Sequence, residues 1–516
     1  MVIRAIRVVF PFSIVRSTSG LHRWLWVLLV MGLGGWLRGQ AAQALPVEAD
    51  EPLYLRVAYL YSRALCSNDL LAILRIHENL EHPPLVKLLY SAAWPCAERN
   101  PDLLIAIQRA RWIAVIFGTL AAGALAILHP AGGILFSVHP TAVYYTSVAM
   151  LESVPVFLVA LAALAACRSS RSGDRWFWGF FIALGLTAAS KYIYAPISIA
   201  FGFRHFKRWG VHGWLVGLAT AMALFGVLNF PVWTALGSSG LESFAYHLRY
   251  AQSSHVAQAN LPWYQPVRWL TASAAELGIL LAGILGWMDE IRRRLSVAGF
   301  SLGVAIAFLL IWPTKWPHYT LIAVLPLCLT AASVLWKTRL SRLLAFFLFG
   351  LSIVANYDRI RCEKHYPLLY AVPHSSPSPV PLGVLDGIEL ESVRIHRQDR
   401  KIWVFICWTP QRAFPTGYSL FLHLLGESPP PGTESPLWDQ WDGPALNGAY
   451  DSSFWIPKVR FCEMHLLELP DFAPDGRYML ATGWYQWETG KRIPVRYGPV
   501  DPRFPDAIII DRWEVP

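Results

Sequence analysis

The stretch WLWVLLVMGLGGWLRGQAAQALPVEADEPLY, residues 24–54, joins an apolar run to a group of carboxylates. The apolar part, 24–40, approaches the roughly 20 residues that a helix needs to cross the hydrocarbon core of a bilayer. Glu48, Asp50 and Glu51 follow shortly after it. The stretch therefore predicts a membrane span that ends beside a set of acids at the membrane surface.

The composition of the whole chain also indicates a membrane protein. Its 516 residues are 55% hydrophobic and only 15% charged, with a mean hydropathy of +0.38, whereas a soluble domain has about 25% charged residues. The net charge of +10 is compatible with nucleic-acid binding, but basic residues also fix the orientation of membrane proteins, so their positions decide. These positions favour the membrane, and we expect no nucleic-acid partner.

Further apolar segments have the length and composition of membrane helices. We predict a multispanning α-helical protein with about eleven spans, at 24–40, 107–127, 131–148, 150–167, 176–190, 191–203, 213–231, 270–288, 296–312, 319–336 and 342–356.

Basic residues cluster on one side of this arrangement. If the helices alternate, every cluster faces the cytoplasm, as the positive-inside rule requires; the clusters are Arg4/Arg7/Arg16/Arg23, Arg168/Arg171/Arg175, Arg204/Lys207/Arg208, Arg292/Arg293/Arg294 and Lys337/Arg339/Arg342. We expect a multi-pass protein of the plasma or inner membrane, with its amino terminus inside and its C-terminal domain outside. An alternative for the start of the chain is a signal peptide cleaved at Ala42-Gln43-Ala44, which leaves the downstream topology unchanged.

The pattern changes beyond residue 357. Alternation of period two, typical of strands, replaces long apolar runs in KIWVFICW (401–408), YSLFLHLL (418–425), EMHLLEL (463–469), RYMLATGWY (477–485) and DAIIIDRW (506–513). We predict a transmembrane domain over 1–356 with an outer loop over 41–105, a linker over 357–380 and an extracytoplasmic all-β sandwich over 381–516.

Common motifs for nucleotide binding, zinc proteases and serine hydrolases are not found in a context that would support them. No GxxxxGK[ST], GxGxxG, HExxH or GxSxG pattern stands at a strand–helix junction or on a helix that would use it. The seven cysteines have no metal-ligand spacing, and the use of a divalent metal is left open. Disulfides are permitted outside the cytoplasm, where Cys66–Cys96 and Cys407–Cys462 are candidate pairs and free thiols are the alternative.

Asp50 and Glu51 are the candidates for catalysis. Glycosyl transfer from a lipid phosphate to a hydroxyl needs a carboxylate that accepts the hydroxyl proton, groups that hold the leaving phosphate, and a site at the membrane boundary. The two acids supply the carboxylate at such a boundary. The alternative is that both are solvated acids of a loop that leaves the membrane.

Two further residues stand where helices begin or end. His82, in HPPLVKLL, follows a predicted short helix over 52–65 and precedes two prolines that restrict the backbone. Glu152 begins an apolar helix, where an acid usually faces a cavity or a partner. Both are candidates for substrate binding; the alternatives are a simple helix breaker and a charge that favours the helix dipole.

Lysine, histidine and tyrosine side chains lie at two other outer junctions. Lys191-Tyr192 stands where two predicted helices meet, and Lys315 and His318 lie within the aromatic segment IWPTKWPHY. A lysine at such a place can bind a lipid phosphate, or it can simply extend to the interface. An aromatic belt explains the tryptophans of the second segment but not its lysine and histidine.

The order of these residues resembles one family of membrane enzymes. The resemblance is to the protein O-mannosyltransferase-like branch of the GT-C glycosyltransferases over roughly residues 20–340, and it rests on Asp50-Glu51 after the first helix, HPPL, an acid after a YY-containing third helix, a Lys-Tyr pair and PHY before the tenth helix. It implies that Asp50 is the catalytic base and Glu51 its helper. It also implies a substrate-contacting arginine at the second helix, either Arg111 or Arg109. The family more often has Asp where this chain has Glu152.

The resemblance also implies a reaction. These enzymes take sugar from a polyprenyl-phosphate carrier, so we expect transfer of mannose or a similar hexose or pentose from this lipid-linked donor to a hydroxyl of a protein, lipid or glycan on the extracytoplasmic side. Alternatives from other classes are a transporter or flippase of lipid-linked or small polar substrates and an inactive scaffold that presents the sandwich.

The C-terminal region resembles β-sandwich modules appended to some bacterial members, in segments such as FLHLL, DGPALNGAY and SSFWIP. Its tryptophans either contact carbohydrate or are buried in the sandwich; they are Trp438, Trp441, Trp455 and Trp484.

Overall fold

The computed structural model describes residues 20–98, 101–203, 205–236, 245, 246, 249, 261–293, 297–312, 314–362 and 380–515. Some predicted features lie outside these residues, namely Arg4, Arg7, Arg16, Arg204, Arg294 and positions 363–379 of the linker. Within them, helices form the first part of the chain and strands form the last.

The helices surround a largely apolar core. In chain order they are α1 Gly20–Ala44, α2 Glu51–Cys66, α3 Leu70–Ile73, α4 Leu85–Tyr90, α5 Leu103–Leu128, α6 Pro130–Val138, α7 Pro140–Tyr145, α8 Ser153–Arg168, α9 Arg175–Ser190, α10 Ala195–Phe203, α11 Phe206–Ala235, α12 Gln265–Trp269, α13 Ala274–Arg293, α14 Val297–Ile311, α15 Leu321–Leu335 and α16 Arg339–Cys362.

Four helical segments among the described residues are long and apolar enough to cross a membrane: Leu103–Leu128, Phe206–Ala235, Pro317–Leu335 and Arg339–Ile360. Ser153–Arg168, Tyr192–Phe203 and Val297–Ile311 are apolar but shorter. The predicted count of about eleven spans is therefore not confirmed, although most predicted segments coincide with a helix.

One segment predicted as a single helix, 131–148, forms two. α6 ends at Val138 and α7 begins at Pro140. Because proline disfavours helical backbone in the residue before it, His139 is extended, with φ −63° and ψ 120°. α7 then stops at Tyr145, and the non-helical residues after it line the site described below.

Acidic side chains define the starts of two long helices. The Asp102 carboxylate accepts hydrogen bonds from the backbone N–H groups of Leu104 (2.8 Å) and Ile105 (3.2 Å), and that of Asp174 accepts one from Phe177 (2.7 Å). Both satisfy donors that a helix start leaves free. Glu152 occupies the same position at α8 but makes no such bond, so its carboxylate is available for other contacts.

The loop 41–105, predicted to lie outside the cytoplasm, is built around α2, which coincides with the predicted short helix over 52–65. A disulfide joins its last residue, Cys66, to Cys96. The Trp94 indole donates to the carbonyl of Leu55 (3.0 Å), and the Ser62 hydroxyl donates to the carbonyl of Trp94 (2.6 Å). These contacts fold the end of the loop back onto α2.

Two antiparallel sheets form the C-terminal region, and their strands are β1 Gly383–Leu385, β2 Ile388–Gln398, β3 Lys401–Pro410, β4 Tyr418–Gly426, β5 Leu437–Pro444, β6 Phe461–Glu468, β7 Gly476–Gln486, β8 Val495–Tyr497 and β9 Ile508–Val515. The sheet orders are β6-β3-β2-β1-β8 and β5-β4-β7-β9. Val404 of the first sheet and Leu422 and Leu480 of the second belong to one buried cluster, so the sheets pack face to face.

The five predicted strands correspond to β3, β4, β6, β7 and β9. In the neighbouring strands β3 and β6, Cys407 lies opposite Cys462 and is joined to it by a disulfide. Trp455 and Trp484 are almost completely buried and Trp438 is 8% exposed, while the Trp441 ring stacks on buried His465. The alternative of burial in the sandwich therefore holds for Trp438, Trp455 and Trp484, whereas Trp441 is only partly buried.

The sandwich contacts the helical part at the start of α5. The Arg460 guanidinium donates two hydrogen bonds to Asp102 Oδ2, at 2.9 and 2.7 Å. The backbones also pair, since the Leu103 N–H donates to the Arg460 carbonyl (2.8 Å) and the Arg460 N–H donates to the Pro101 carbonyl (3.1 Å). A second contact runs from Arg56 of α2 to the carbonyl of Ser453 (2.8 Å).

Candidate active site

Glu51 and Arg111 form a buried ion pair between α2 and α5. The Arg111 Nε–H donates to Glu51 Oε1 at 2.7 Å and Nη2–H to Oε2 at 2.5 Å, and neither side chain is exposed. The carboxylate also accepts backbone N–H groups from Glu48 (2.8 Å) and Ala149 (2.6 Å). Glu51 thus fixes the turn before α2 to the segment after α7.

All five N–H donors of Arg111 have partners. Besides Glu51, the guanidinium donates to the carbonyls of Ala42 (3.0 Å), Leu45 (2.8 Å) and Pro46 (2.6 Å). Because an arginine has five such donors, none is left for a phosphate or sugar. Arg111 was expected to contact the substrate, but its donors are all used within the protein. Its bonds instead hold the loop that carries the acids. Arg109 pairs with Glu98 at 2.8 Å, away from these acids.

Asp50 lies directly before α2 and is half-buried. Its carboxylate makes no capping bond to the helix and accepts a hydrogen bond from the Tyr54 hydroxyl at 3.3 Å. The adjacent acid is locked inward, whereas Asp50 remains accessible. Of the two acids, only Asp50 can meet an incoming hydroxyl without breaking a buried ion pair.

The remaining acid of the opening stretch, Glu48, contacts a residue that the sequence did not single out. The Tyr144 hydroxyl donates to the Glu48 carboxylate, and the Arg359 guanidinium lies 4.0 Å above the Tyr144 ring, within range of a cation–π contact. Arg359 belongs to α16, the last helix before the sandwich in the described part of the chain. Tyr144 therefore links the acid-bearing loop to α16.

Glu152, Lys191 and His318 form a second buried cluster. Lys191 donates to Glu152 Oε1, and the two side chains are 2% and 0% exposed. His318 Nε2 lies 3.7 Å from the same oxygen. The other oxygen, Oε2, is buried and has no hydrogen-bond partner among the described residues. The three residues come from the α7–α8, α9–α10 and α14–α15 junctions, and the structure brings them together.

Tyrosine side chains connect the two clusters. Tyr54 and Tyr319 each lie close enough to both Asp50 and Glu152 to be influenced electrostatically by the two carboxylates. The ammonium group of Lys191 is 5.1 Å from the centre of the Tyr319 ring. Burial, followed by the charges of Asp50 and Glu152, raises the pKa of Tyr54 well above its usual value. Tyr54 therefore stays protonated and serves as a donor beside Asp50.

His82 borders this site and is held in place by its neighbours. Its ring packs edge-on against Tyr54, with centroids 5.9 Å apart. Lys87, which is buried, donates to the carbonyls of Asn79 (2.7 Å) and His82 (2.9 Å). The Tyr192 hydroxyl donates to the carbonyl of Glu81 at 2.6 Å. Tyr192 therefore supports the His82 turn.

Lys315 has a different environment from the one expected. Its ammonium group donates to the carbonyls of Leu309 (2.8 Å), Leu310 (3.1 Å) and Trp312. These carbonyls lie at the C-terminal end of α14, where a cation satisfies acceptors that the helix leaves open. The structure thus uses Lys315 as a helix cap, and only His318 of the IWPTKWPHY segment joins the cluster.

A further buried acid, Glu276, was not predicted. It accepts hydrogen bonds from the Thr141 hydroxyl (2.5 Å) and the Ser273 hydroxyl (2.9 Å) and is 1% exposed. Fully buried His139 lies near it, and neither ring nitrogen has a hydrogen-bond partner within the described part of the chain. An acid inside the predicted span 270–288 was the one available signal for this site.

No group of three or more His, Cys, Asp or Glu side chains that could hold a metal ion occurs in the residues covered by the structure.

No protein-family model matches the chain, and no curated protein matches it. Among solved structures, the chain is similar to ArnT from Cupriavidus metallidurans bound to undecaprenyl phosphate, at 13% identity and a TM-score of 0.44 over 65% of this chain and 64% of that one. It is also similar to ArnT in the apo state, at 14% identity and a TM-score of 0.48 over 64% and 63% of the two chains. This chain thus spans just under two thirds of ArnT, and so loose a likeness by itself assigns neither activity nor substrate.

Proposed function

We propose that this protein is an integral membrane glycosyltransferase of the GT-C type that transfers a sugar from a polyprenyl-phosphate carrier to an acceptor hydroxyl on the extracytoplasmic side. The observation that supports this best is the pairing of two unlike clusters. An accessible carboxylate, Asp50, lies beside a buried site that contains Lys191 and His318, and Tyr54 and Tyr319 lie near both. Transfer requires these two kinds of group at one place.

In the proposed reaction Asp50 acts as the general base. It accepts the proton of the acceptor hydroxyl while the hydroxyl oxygen bonds to the anomeric carbon of the sugar. The bond from that carbon to the phosphate oxygen breaks at the same time, and the polyprenyl phosphate leaves with the bonding electrons. One such displacement inverts the anomeric configuration.

Glu51 and Arg111 support this step without touching the substrates. Their buried pair and their bonds to the carbonyls and N–H groups of residues 42–48 and 149 fix the backbone next to Asp50. A base held by its surroundings loses little freedom on reaching the transition state. We therefore assign Glu51 and Arg111 a positioning role.

Lys191 and His318 are the proposed contacts of the donor phosphate. An ammonium group is a point charge that suits a phosphate oxygen, and its attraction is stronger in a partly dry site than in water. His82 and Tyr192 border the same space. Mannose, another hexose or a pentose is the proposed sugar, and a protein, lipid or glycan supplies the acceptor hydroxyl.

The arrangement of cysteines supports the proposed orientation. We propose the predicted domain boundaries 1–356, 357–380 and 381–516, although α16 continues to Cys362. Cys66–Cys96 lies in the outer loop and Cys407–Cys462 in the sandwich, whereas Cys328, in α15, is a free thiol. Disulfides persist in oxidising compartments. Both pairs fall in segments that the basic clusters place outside the cytoplasm.

Incubation of the purified protein with a panel of radiolabelled polyprenyl-phosphate sugars tests the proposal. The panel contains mannose, glucose and pentose donors, each offered with and without Mg²⁺ or Mn²⁺, and the Asp50→Asn protein serves as the control. We expect one donor to be consumed by the wild-type protein and to remain intact with the variant. Movement of the intact lipid-linked sugar across a vesicle membrane, without its consumption, would instead support the transporter alternative.

A further inference from the structure

We propose that Glu152 is a built-in competitor of the lipid phosphate for Lys191, and that its negative charge promotes release of the polyprenyl-phosphate product. This inference rests on the proposed function. It assigns Glu152 a task opposite to the substrate binding that the sequence suggested, because the residue would weaken the affinity for phosphate rather than strengthen it.

The geometry places Glu152 where an anionic ligand of Lys191 would lie. Its Oε1 accepts from the ammonium group and is also 3.7 Å from His318 Nε2. The lysine is 2% exposed, and a cation this deeply buried needs an anion close by. Glu152 supplies that anion whenever the lipid is absent.

Only one oxygen of the Glu152 carboxylate is hydrogen-bonded to residues that the structure describes. Oε2 is buried without a hydrogen-bond partner in the described residues, and Glu152 does not cap α8. Glu51, by contrast, has both oxygens bonded to Arg111 and to backbone N–H groups. A carboxylate with an unsatisfied oxygen can be displaced from Lys191 more easily than one with four bonds.

Polar groups that could receive the displaced carboxylate lie nearby. Glu152 is close enough to Tyr90 and Tyr194 to influence both hydroxyls electrostatically. The Tyr194 hydroxyl is buried and has no hydrogen-bond partner in the described part of the protein. In this proposal the Tyr194 hydroxyl is the polar group that stabilises the Glu152 carboxylate when a phosphate occupies Lys191.

The charges of donor and product give this competition a direction. A polyprenyl-phosphate sugar is a phosphodiester with one negative charge, whereas the released phosphate monoester carries about −1.5 to −2 at neutral pH because its second pKa is about 6. With Glu152 ionised, Lys191 is already neutralised. The Glu152 carboxylate then repels the product more strongly than the donor. It therefore favours release of the product.

Binding of undecaprenyl phosphate to the purified protein tests this inference. We expect Glu152→Gln to bind it about 10-fold more tightly than the wild type, and the gain to disappear in the Glu152→Gln/Lys191→Met protein. Glu276→Gln is the matched control, because Glu276 is equally buried but bonds to Thr141 and Ser273, and its affinity should match the wild type. Inorganic phosphate and undecaprenol, tested as competitors, separate the contribution of the charge from that of the lipid.

Turnover gives a second readout. The Glu152→Gln protein should retain single-turnover transfer but slow down after the first cycle and become sensitive to added undecaprenyl phosphate. Equal or weaker binding by Glu152→Gln would overturn the inference while leaving the proposed function intact. If the wild-type protein binds no undecaprenyl phosphate at all, both fall.

Discussion

Glu51 and Arg111 are 60 positions apart in the chain, yet they form two hydrogen bonds, of 2.7 and 2.5 Å, in a site that water does not reach. This pair turns one of two adjacent acids into a structural element. Asp50, its neighbour, is left half-buried directly before α2 with its carboxylate beside the Tyr54 hydroxyl. The proposed roles of the two acids, Asp50 as the base and Glu51 as a positioning residue, rest on this difference in environment.

Replacement of Asp50 by Asn should abolish most of the transfer. Asparagine keeps the size of the side chain but cannot accept a proton, so we expect the rate to fall by about 10²–10⁴-fold while the donor still binds. Asp69→Asn is the control, because Asp69 is an acid of the same loop whose side chain only caps α3. Near-normal transfer by Asp50→Asn would exclude it as the base.

Arg111→Met should lower the stability of the fold. Removal of one partner leaves the Glu51 carboxylate buried without its countercharge, which destabilises a protein by about 3–5 kcal/mol. Thermal unfolding of the detergent-solubilised protein should show a clear drop in the midpoint. Arg109→Met, which removes only a partly exposed pair with Glu98, should change it little; equal midpoints for the two variants would contradict the buried-pair account.

Loss of the Lys191 charge should raise the donor requirement. A charge-assisted hydrogen bond contributes about 1.5–3 kcal/mol, so Lys191→Ala should increase the apparent KM for the donor about 10- to 100-fold. Lys337→Ala is the matched control, since Lys337 forms a partly exposed pair with Asp289. If donor kinetics were the same for both variants, Lys191 would have no part in phosphate binding.

Arg460→Met should loosen the sandwich from the helical part. The substitution removes two hydrogen bonds to Asp102 but leaves the backbone pairing of residues 101–103. We expect faster proteolytic cleavage between the two parts in limited digestion. Arg477→Met, which removes a long ion pair between two exposed side chains, should be cut at the wild-type rate. Identical digestion of Arg460→Met and the wild type would show that the Asp102 contact contributes nothing to docking.

The orientation can be tested with single cysteines in whole cells. Leu70→Cys and Glu434→Cys should react with a membrane-impermeant maleimide, whereas Ser172→Cys should react only after the cells are opened. The background keeps both disulfides and replaces Cys167, Cys328 and Cys362. Protection of residue 70 or 434 in intact cells would refute the proposed topology.

The periodicity of apolar residues predicted the helices and strands whose positions depend on the local sequence. Long apolar runs located α5 and α11, and alternation located β3, β4 and β7. The split between α6 and α7 had a local signal as well, in Pro140, but the hydropathy of 131–148 masked it. Strands β2 and β5 escaped detection because their burial is irregular along the strand.

The site was less accessible to sequence reasoning, because its contacts join residues that are distant in the chain. Nothing near Glu51 indicates that Arg111 neutralises it, and Arg359 lies just beyond a predicted span that ended at 356. Lys315 shows the opposite case, because its partners are local. They are the carbonyls three to six residues before it, so a lysine that caps a helix was predicted to bind substrate. The residue types indicated where the candidate site lies. Only the fold showed which of these side chains are accessible to a substrate and which are held in structural contacts.

The pairing of residues 101–103 with Arg460 also has a consequence for biosynthesis. Asp102 and Arg460 are separated by 358 positions, so at a synthesis rate of about 5–20 residues per second the start of α5 waits roughly 20–70 s for its partner. During that interval the Asp102 carboxylate and the adjacent backbone groups remain uncovered on nascent chains. A ribosome that stops early therefore releases a protein in which these groups stay exposed to proteases, whereas a finished chain covers them with Arg460.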